Sequence, residues 1–177
     1  MVITGPVSPA AEQRAGVSRG VLDTPVGVLV VESDGAAIRR VGWSARAARP
    51  SGGDPLLAEA LAQVAAYFAG SRRDFDLPLD LGPQTEVTLV VLRTLFETVD
   101  HGETMTYGEL AERSGTGVPA RAIGSIMGAN PIPLIVPCHR VVASDGLGGY
   151  SGGEPGQGLS TKRWLLEHEG ALPAALF

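Results

Sequence analysis

The sequence predicts an α/β amino-terminal domain followed by a mainly helical carboxy-terminal domain that contains two short helices joined by a turn. Runs of β-branched residues separated by turn signals come first, and one amphipathic helical pattern follows them. Beyond residue 85, capped helical patterns dominate. We place a flexible tail at residues 1–20, the first domain at 21–82 and the second at 83–177.

Composition bounds the possible functions. The chain has 177 residues, of which 44% are hydrophobic, enough for one good core or two small ones. No apolar stretch approaches the roughly 18 residues of a membrane helix, and residues 1–20 lack the apolar centre of a signal peptide. We therefore expect a cytoplasmic protein without a membrane segment.

The charge argues against nucleic acid as a partner. The net charge is −5, and from Thr85 onward six Lys/Arg stand against ten Asp/Glu. Proteins that hold duplex DNA through its phosphates usually carry a basic face. A role on DNA must therefore come from local geometry, and non-specific affinity should be weak.

The first domain begins with a predicted hairpin. Val21 to Val31 is mostly β-branched, with Thr24–Gly27 as an opening turn, and Ser33-Asp34-Gly35 leads into a second run that ends at Trp43. These two runs predict paired strands.

A helix follows the hairpin. Asp54 is its predicted N-cap, Pro55 its first residue and Gly70 its end, because apolar residues recur at helical spacing between them. Residues 71–83 alternate apolar and polar side chains between prolines, which predicts a strand or an extended linker.

Three helices are predicted next. Residues 86–99 are apolar on most of the helical circumference, so we expect a buried helix. Thr106 and Glu109 have capping-box spacing and begin a helix that ends at Ser114. Pro119 opens another that runs through Met127. Spacing alone favours an ordinary helical hairpin, with a DNA-binding helix-turn-helix as the alternative.

The end of the chain combines a rigid segment and a last helix. Residues 131–142 hold three prolines, which predicts an extended, buried segment. Thr161 is the predicted cap of a helix over residues 162–169, and Gly170 ends it.

Cys138 is the only cysteine, so it forms no internal disulfide and makes a poor structural zinc site. It is either a small buried hydrophobe or a nucleophile. A free thiol is only a few per cent ionised at neutral pH and needs a base or a positive environment. His139 and Arg140 follow it directly, which favours the nucleophile.

His139 is the candidate base, although neighbours on an extended segment point to opposite faces. A bridging water or a local turn would connect it to Cys138, and Glu169 could fix its tautomer from behind. Taken alone, His139 is more simply a structural histidine.

The ordered motifs of the second half resemble the methylated-DNA–protein-cysteine methyltransferase (O-6-alkylguanine-DNA alkyltransferase) family. They are Thr106-Tyr107-Gly108-Glu109-Leu110-Ala111, Arg121-Ala122-Ile123-Gly124, Asn130-Pro131, Pro137-Cys138-His139-Arg140-Val141, Tyr150-Ser151-Gly152-Gly153 and the run from Trp164 to Glu169. Each motif is weak alone, but their common order is specific. The resemblance covers about residues 85–170, and residues 21–81 more weakly.

The resemblance implies an RNase H-like α/β first domain and a second domain with a helix-turn-helix. It also implies a monomer without a cofactor that acts once on double-stranded DNA containing O6-alkylguanine. Some relatives hold zinc in the first domain with cysteines, and because these ligands are absent here we expect no metal. The damaged base is flipped out through the minor groove, and Cys138 takes its alkyl group irreversibly.

Residue roles also follow from the resemblance. The implied catalytic group is Cys138, His139, Glu169 and Tyr107, with Tyr107 donating to the departing guanine. The implied substrate contacts are Val141, Tyr150, Ser151 and Met127. The implied DNA-binding residues are Arg121, which fills the space of the flipped base, with Ala122, Asn130 and Arg140.

Two departures and two alternatives accompany the resemblance. Gly128 stands where some relatives carry a basic residue, and Ile126 where small residues are common, so DNA docking should be weakened.

A non-catalytic lesion-binding module of the same fold is one alternative function, but such relatives lack the cysteine. A cysteine hydrolase is the other, and it leaves Arg121 and the paired helices without a role.

Overall fold

The structure is a computed structural model that describes residues 3–4, 16–44 and 49–173. Its first half is built on a sheet of five strands, which are β1 (Ile3–Thr4), β2 (Ser18–Thr24), β3 (Gly27–Ser33), β4 (Ile38–Trp43) and β5 (Leu79–Asp80). Their order in the sheet is β1-β5-β4-β3-β2. β1 and β5 are parallel to their neighbours, whereas β2, β3 and β4 form an antiparallel meander.

Two sequence predictions about this sheet are corrected. The predicted turn at Thr24–Gly27 is present, with the Thr24 hydroxyl donating to Gly27 O and the Val26 amide donating to that hydroxyl, but it joins β2 to β3 and does not open the first strand. The prediction of a flexible tail was wrong for residues 3–4 and 18–20, which pair within the sheet. Residues 16–17 directly precede β2, and the rest of the predicted tail, residues 1–2 and 5–15, lies outside the described residues.

One helix, α1 (Pro55–Phe68), packs on the sheet. The carboxylate of Asp54 accepts from the amide of Leu57 at 2.7 Å, which confirms the predicted N-cap. The buried face of α1 includes Leu57, Ala60 and Val64, and it forms the first part of the core with inward residues of β3 and β4. Burial of this apolar face is the main source of stability here.

The second half holds the remaining helices. They are α2 (Glu86–Thr98), α3 (Tyr107–Ser114), α4 (Ala120–Gly128) and α5 (Gly158–His168), with a short parallel pair formed by β6 (Met105–Thr106) and β7 (Val141–Val142). α2 is less buried than predicted. Val91, Leu92 and Leu95 face the core, while Val87 and Val90 are exposed. The apolar circumference of α2 is therefore only partly covered.

The capping box that begins α3 is present as predicted. Thr106 Oγ1 accepts from the Glu109 amide at 3.2 Å, and the Glu109 carboxylate accepts from the Thr106 amide at 2.7 Å. Gly115 ends α3 in the left-handed conformation, and α4 begins after Pro119. β6 and the capping box thus fix the residue that follows them, Tyr107, at the first position of α3.

Two further predictions are corrected near the end of the chain. Residues 138–140 form a single 3-10 turn rather than an extended run, because the Arg140 amide donates to Pro137 O and the Val141 amide to Cys138 O. α5 begins at Gly158, so Thr161 lies inside the helix and is not its cap. Gly170 follows α5 with φ +77°, as expected for the residue that ends a helix.

The two halves share one hydrophobic core. The buried cluster runs without interruption from Leu29 and Tyr67 to Cys138 and Leu165. A backbone hydrogen bond of 3.0 Å joins the Val41 amide of β4 to Pro131 O, just ahead of the cysteine segment. Among the described residues, no helix is long and apolar enough to cross a membrane.

Candidate functional site

A cavity of about 530 Å³ opens between α3, α4 and the loop that follows β7. Its size suits a small organic ligand or a single nucleobase. Its lining residues are Tyr107, Ala120, Arg121, Gly124, Met127, Gly128, Cys138, Gly149, Tyr150 and Ser151. Six of the twelve predicted site residues line this cavity, and they include the predicted nucleophile and both predicted tyrosines.

Cys138 lies at the buried end of this cavity, with 4% of its surface exposed. Burial raises the pKa of the thiol to about 11, although the Asn130 side chain and the nearby charge of Lys162 act in the opposite direction. At neutral pH the isolated thiol would stay protonated. Reaction therefore requires a base that accepts the proton as the sulfur attacks.

His139 is placed to be that base. It is fully buried, and its Nε2 lies 2.8 Å from Glu169 Oε1. An ionised carboxylate can only accept, so Nε2 carries the proton and Nδ1 is the acceptor. No protein atom of the described residues bonds Nδ1. The 3-10 turn bends the chain between Cys138 and His139, and Nδ1 is left as an acceptor without a bond to a described protein atom.

Burial and the surrounding charges keep the His139 imidazole neutral and the Glu169 carboxylate ionised. Burial lowers the pKa of His139, against the pull of Glu169, so the imidazole is neutral near pH 7. Burial opposes ionisation of Glu169, but hydrogen bonds from His139 and Arg140 and their charges hold the pKa of this carboxyl far below its usual range. A neutral base and an ionised partner therefore coexist in the protein interior.

Arg140 does not lie where a DNA-binding residue would. Only 7% of it is exposed. Its Nε donates to Glu169 Oε2 at 2.8 Å, and its Nη1 donates to Val99 O at 2.8 Å. Arg140 is therefore the counter-ion of a buried carboxylate, and nothing in its position supports the predicted DNA contact.

Tyr107 forms one wall of the cavity. Its hydroxyl donates to Gly149 O at 3.3 Å, and burial raises the pKa of the phenol, which keeps it protonated. Gly148 lies against the ring with φ +68°, and a Cβ there would come within 2.8 Å of Tyr107 Cε2. A small residue in a left-handed conformation is therefore required beside this phenol.

Lys162 was not predicted and is fully buried behind the cavity. Its Nζ donates to Val141 O at 2.6 Å and to Gly149 O at 3.0 Å, which ties the cysteine segment to the loop before Tyr150. Burial lowers the pKa of this ammonium to about 8, and the charge of a Cys138 thiolate would raise it. The sequence signal was a lysine three and four residues ahead of Leu165 and Leu166, on an apolar helix face.

The other predicted substrate residues divide into two groups. Met127, Tyr150 and Ser151 line the cavity, and the Ser151 hydroxyl donates weakly to Gly128 O at 3.4 Å. Val141 is buried and does not line it, and its carbonyl already accepts from Lys162. The carbonyl of Val141 is therefore available to a ligand only through its second lone pair.

The remaining predicted DNA residues lie on or after α4. Arg121 is exposed at the rim of the cavity, in the first turn of the helix. Ala122 is half-buried beside it. Asn130 instead bonds within the chain: its Nδ2 donates to Val136 O at 2.9 Å, and its Oδ1 accepts from the Ile132 amide at 3.0 Å. Asn130 thus joins the end of α4 to the segment that leads to Cys138.

Tyr67 is a second residue that sequence reasoning missed. It lies in α1, and its hydroxyl donates to Glu169 Oε1 at 2.7 Å across 102 residues of sequence. No local pattern links two positions so far apart. Among the described residues, no group of three His, Cys, Asp or Glu is arranged to hold an ion.

Comparisons with known proteins agree with this geometry. Residues 17–81 match the family model of the 6-O-methylguanine DNA methyltransferase, ribonuclease-like domain, and residues 88–171 match that of the DNA binding domain. A methylated-DNA–protein-cysteine methyltransferase of Mycobacterium leprae is 40% identical over 161 residues, which cover 84% of this chain and 89% of that protein. The human protein of the same name is 41% identical over 125 residues, covering 67% of this chain and 58% of its own length.

Solved structures give the same result. The crystal structure of Mycobacterium tuberculosis O6-methylguanine methyltransferase matches with a TM-score of 0.75 and 36% identity, over 90% of this chain and 97% of that one. A crystal structure of Mycobacterium tuberculosis OGT in complex with DNA matches with a TM-score of 0.75 and 37% identity, over 86% and 92%. With a ribonuclease-like first half, a DNA-binding second half and a lone cysteine at the base of its cavity, the chain belongs to the methylated-DNA–protein-cysteine methyltransferase family.

Proposed function

We propose that this protein repairs DNA by moving the alkyl group of O6-alkylguanine onto Cys138, once per protein molecule. The observation that carries the proposal is the position of Cys138, at the base of a nucleobase-sized cavity and next to a buried imidazole whose Nδ1 is the acceptor. The relatives' names and the DNA complex of a related structure support the reaction class and the partner.

The chemistry begins with the thiol. Its proton passes to His139 Nδ1, through a bridging water where the direct path is too long, while Glu169 stabilises the imidazolium that forms. The sulfur attacks the alkyl carbon in line with the bond to O6, so a C–S bond forms as the C–O bond breaks. The electron pair of the broken bond stays with the guanine.

The leaving guanine takes up a proton as it departs. Tyr107 is a suitable donor because burial keeps its phenol protonated, and it lines the cavity beside Cys138. Its present acceptor, Gly149 O at 3.3 Å, is a weak competitor. Tyr150 and Ser151 bound the space that the base would occupy, and the carbonyls of Cys138 and Val141 would accept from the guanine amino group.

Access to the base requires it to leave the duplex. α3 and α4 form a two-helix unit, and we propose that it is a helix-turn-helix that presents α4 to DNA, with Arg121 filling the space of the flipped base from the minor groove. Arg121 stands at the cavity rim, where this exchange would occur. We also propose a monomer that acts in the cytoplasm, whose reducing conditions keep Cys138 a free thiol.

A thioether has no leaving group that restores the thiol, so the reaction is expected to be stoichiometric. Intact mass after incubation with duplex DNA containing O6-methylguanine should show a gain of one CH2 on Cys138, in an amount equal to the lesions removed. Cys138→Ala should bind the lesion DNA but gain no mass. Repeated turnover, or wild-type protein that binds lesion DNA without a mass gain, would contradict the proposal.

A further inference from the structure

The first half of the chain supplies a side chain to the proton network of the second. Tyr67 lies in α1, is fully buried, and donates its hydroxyl proton to Glu169 Oε1 at 2.7 Å. The same oxygen lies 2.8 Å from His139 Nε2. A residue outside the cavity therefore shares one atom with the group that orients the base.

The ring of Tyr67 has little freedom to move away from this contact. It packs against Phe68, Phe75, His101 and His168, with ring centroids 5.2 to 6.2 Å away. His168 Nε2 also lies 2.8 Å from the carbonyl oxygen of Tyr67. Both the backbone and the ring of this tyrosine are thus held by the core that the two halves share.

Glu169 is surrounded by donors on both oxygens. Oε1 accepts from Tyr67, from His139 and from Arg140 Nη2 at 3.1 Å, while Oε2 accepts from Arg140 Nε and from the Gly102 amide at 3.3 Å. A carboxylate with this many donors has a fixed orientation and spreads its charge over several protons. Loss of one donor concentrates that charge on the rest.

We propose that Tyr67 is a positioning residue for the reaction at Cys138. Its hydroxyl fixes the orientation of the Glu169 carboxylate, and this carboxylate determines which nitrogen of His139 carries the proton and how strongly the imidazole holds it. This inference rests on the proposed function for its meaning. The hydroxyl touches neither the cysteine nor the cavity, so it acts only through Glu169 and His139.

The direction of the effect follows from the surrounding charges. Without the Tyr67 hydroxyl, more of the Glu169 charge acts on His139, and the imidazole binds a proton more tightly. The other titratable and charged groups near this pair stay in place. They are Arg140 from the 3-10 turn, His101 from the loop after α2, Lys162 and His168 from α5, Tyr150 from the loop after β7, and Cys138 itself.

Tyr67→Phe isolates the hydroxyl from the ring. Its rate of alkyl transfer from free O6-benzylguanine, measured by intact mass from pH 5 to pH 9, should fall on the acid side at a higher pH than the wild-type rate. The expected shift is about half to one pH unit, which is a three- to tenfold loss of rate at a fixed acidic pH. At pH 8 the two rates should agree within about threefold, because His139 is neutral in both.

A matched control separates positioning from packing. Phe75→Leu disturbs the same aromatic group but keeps the hydroxyl, so it should lower thermal stability without moving the acid limb. A Tyr67→Phe profile that coincides with wild type, or that falls equally at every pH, would overturn the proposal.

Nuclear magnetic resonance tests the inference without any alkyl transfer. In ¹⁵N-histidine-labelled wild-type protein, His139 should be protonated at Nε2 and not at Nδ1, and its titration midpoint should rise in Tyr67→Phe. His139→Gln assigns its signals among the three histidines. Unchanged titration would overturn the role of Tyr67, whereas absence of transfer by wild-type protein would overturn the proposed function alone.

The wild-type protein gives a further test if Tyr67→Phe does not fold. A hydroxyl proton held by a buried carboxylate exchanges slowly with water and is visible in tyrosine-labelled protein. A slowly exchanging Tyr67 hydroxyl supports the inference, and rapid exchange overturns it.

Discussion

Glu169 serves two residues with opposite needs. His139 requires a negative partner that orients it but leaves it neutral, whereas Arg140 is a permanent cation that must be paired because it is buried. One carboxylate meets both needs because Oε1 accepts from His139, while the Arg140 guanidinium donates to both oxygens. Burial, helped by the charge of Arg140, keeps the pKa of His139 below its ordinary value despite Glu169.

Glu169→Gln should therefore cost both stability and rate. It leaves the Arg140 guanidinium buried without a counter-ion, which lowers the free energy of unfolding by about 3–5 kcal/mol. An amide can also present its NH2 to His139 and so favour the wrong tautomer, and transfer should slow by at least about tenfold. Urea denaturation and single-turnover transfer measure the two effects.

The same variant gives a pH test with a definite sign. The folded protein holds the pKa of Glu169 below the ordinary value of 4.5, so its contribution to stability is present above about pH 4.5 and is lost as the pH falls. The stability difference between wild type and Glu169→Gln should therefore shrink in acid. Glu167→Gln, on the same helix with only a 3.7 Å ion pair to Arg163, is the control and should change little. A constant difference down to pH 3 would contradict this assignment.

At the scale of elements, the loop between β7 and α5 depends on a glycine that packs against α3. Gly148→Ala places a Cβ within 2.8 Å of the Tyr107 ring at a backbone φ of +68°, so either the loop or the ring must shift. We expect a loss of about 1–3 kcal/mol in the free energy of unfolding and at least about a tenfold slower transfer, because the phenol moves.

Gly146→Ala is the matched control for this loop. Nothing lies within 4 Å of a Cβ at Gly146, and its φ is not in the left-handed region. Thermal denaturation and transfer to Cys138 should leave Gly146→Ala close to wild type. Equal behaviour of the two variants would show that contact with Tyr107 is not what makes Gly148 necessary.

α4 carries the prediction that separates DNA handling from chemistry. Arg121→Ala should slow repair of duplex DNA by at least about tenfold, because no side chain fills the space of the flipped base. Its reaction with free O6-benzylguanine should change by less than about twofold. Arg163→Ala removes an exposed charge from α5 instead and should affect neither substrate. Equal losses on both substrates for Arg121→Ala would contradict the insertion role.

Most elements could be predicted from local sequence, and the errors have physical causes. The Asp54 cap and the Thr106–Glu109 capping box are local hydrogen bonds, so the sequence contains all the information needed. The start of α5 is different. Gly158 begins the helix against the Tyr150 carbonyl oxygen, with which a Cβ would collide. This contact is tertiary, and a reading of Thr161 as the cap could not include it.

The difference between local and tertiary contacts also separates the site residues that were predicted from those that were missed. Cys138 and His139 are adjacent in sequence and were predicted together, and Glu169 was found through the order of motifs. The contacts of Lys162 and Tyr67 span 13 to 102 residues and involve a buried charge and a buried hydroxyl, which composition and periodicity treat as ordinary helix residues. Arg140 was placed among the DNA-binding residues through the resemblance, and its pairing with Glu169 is a tertiary contact that the motif does not show.

At the scale of the whole molecule, the acidic charge predicts weak binding to undamaged DNA. The chain carries −5, and from Thr85 onward acidic residues outnumber basic ones. With few phosphate contacts, the affinity should depend only weakly on salt, since each phosphate neutralised adds about −0.9 to the slope of log K against log salt. Fluorescence anisotropy with an undamaged duplex at several salt concentrations measures this slope.

Gly128→Arg should strengthen that binding. Gly128 is exposed at the end of α4, and nothing lies within 4 Å of a Cβ there, so a long cationic side chain fits. One added phosphate contact should raise affinity by about three- to tenfold at low salt and steepen the slope by about one. Gly128→Ala controls for the change in helix propensity. An affinity equal to that of Gly128→Ala would show that this end of α4 does not face the backbone of DNA.

The contact of Tyr67 with Glu169 also orders events during synthesis. Tyr67 is made early, Cys138 and His139 follow, and Glu169 comes 30 residues after His139. Until Glu169 has docked onto α1 and the imidazole, the nascent cysteine has no oriented base and behaves as an ordinary thiol. The alkyl transfer proposed for Cys138 thus depends on residues from both halves of the chain, and it becomes possible only after Glu169 has been made and has docked.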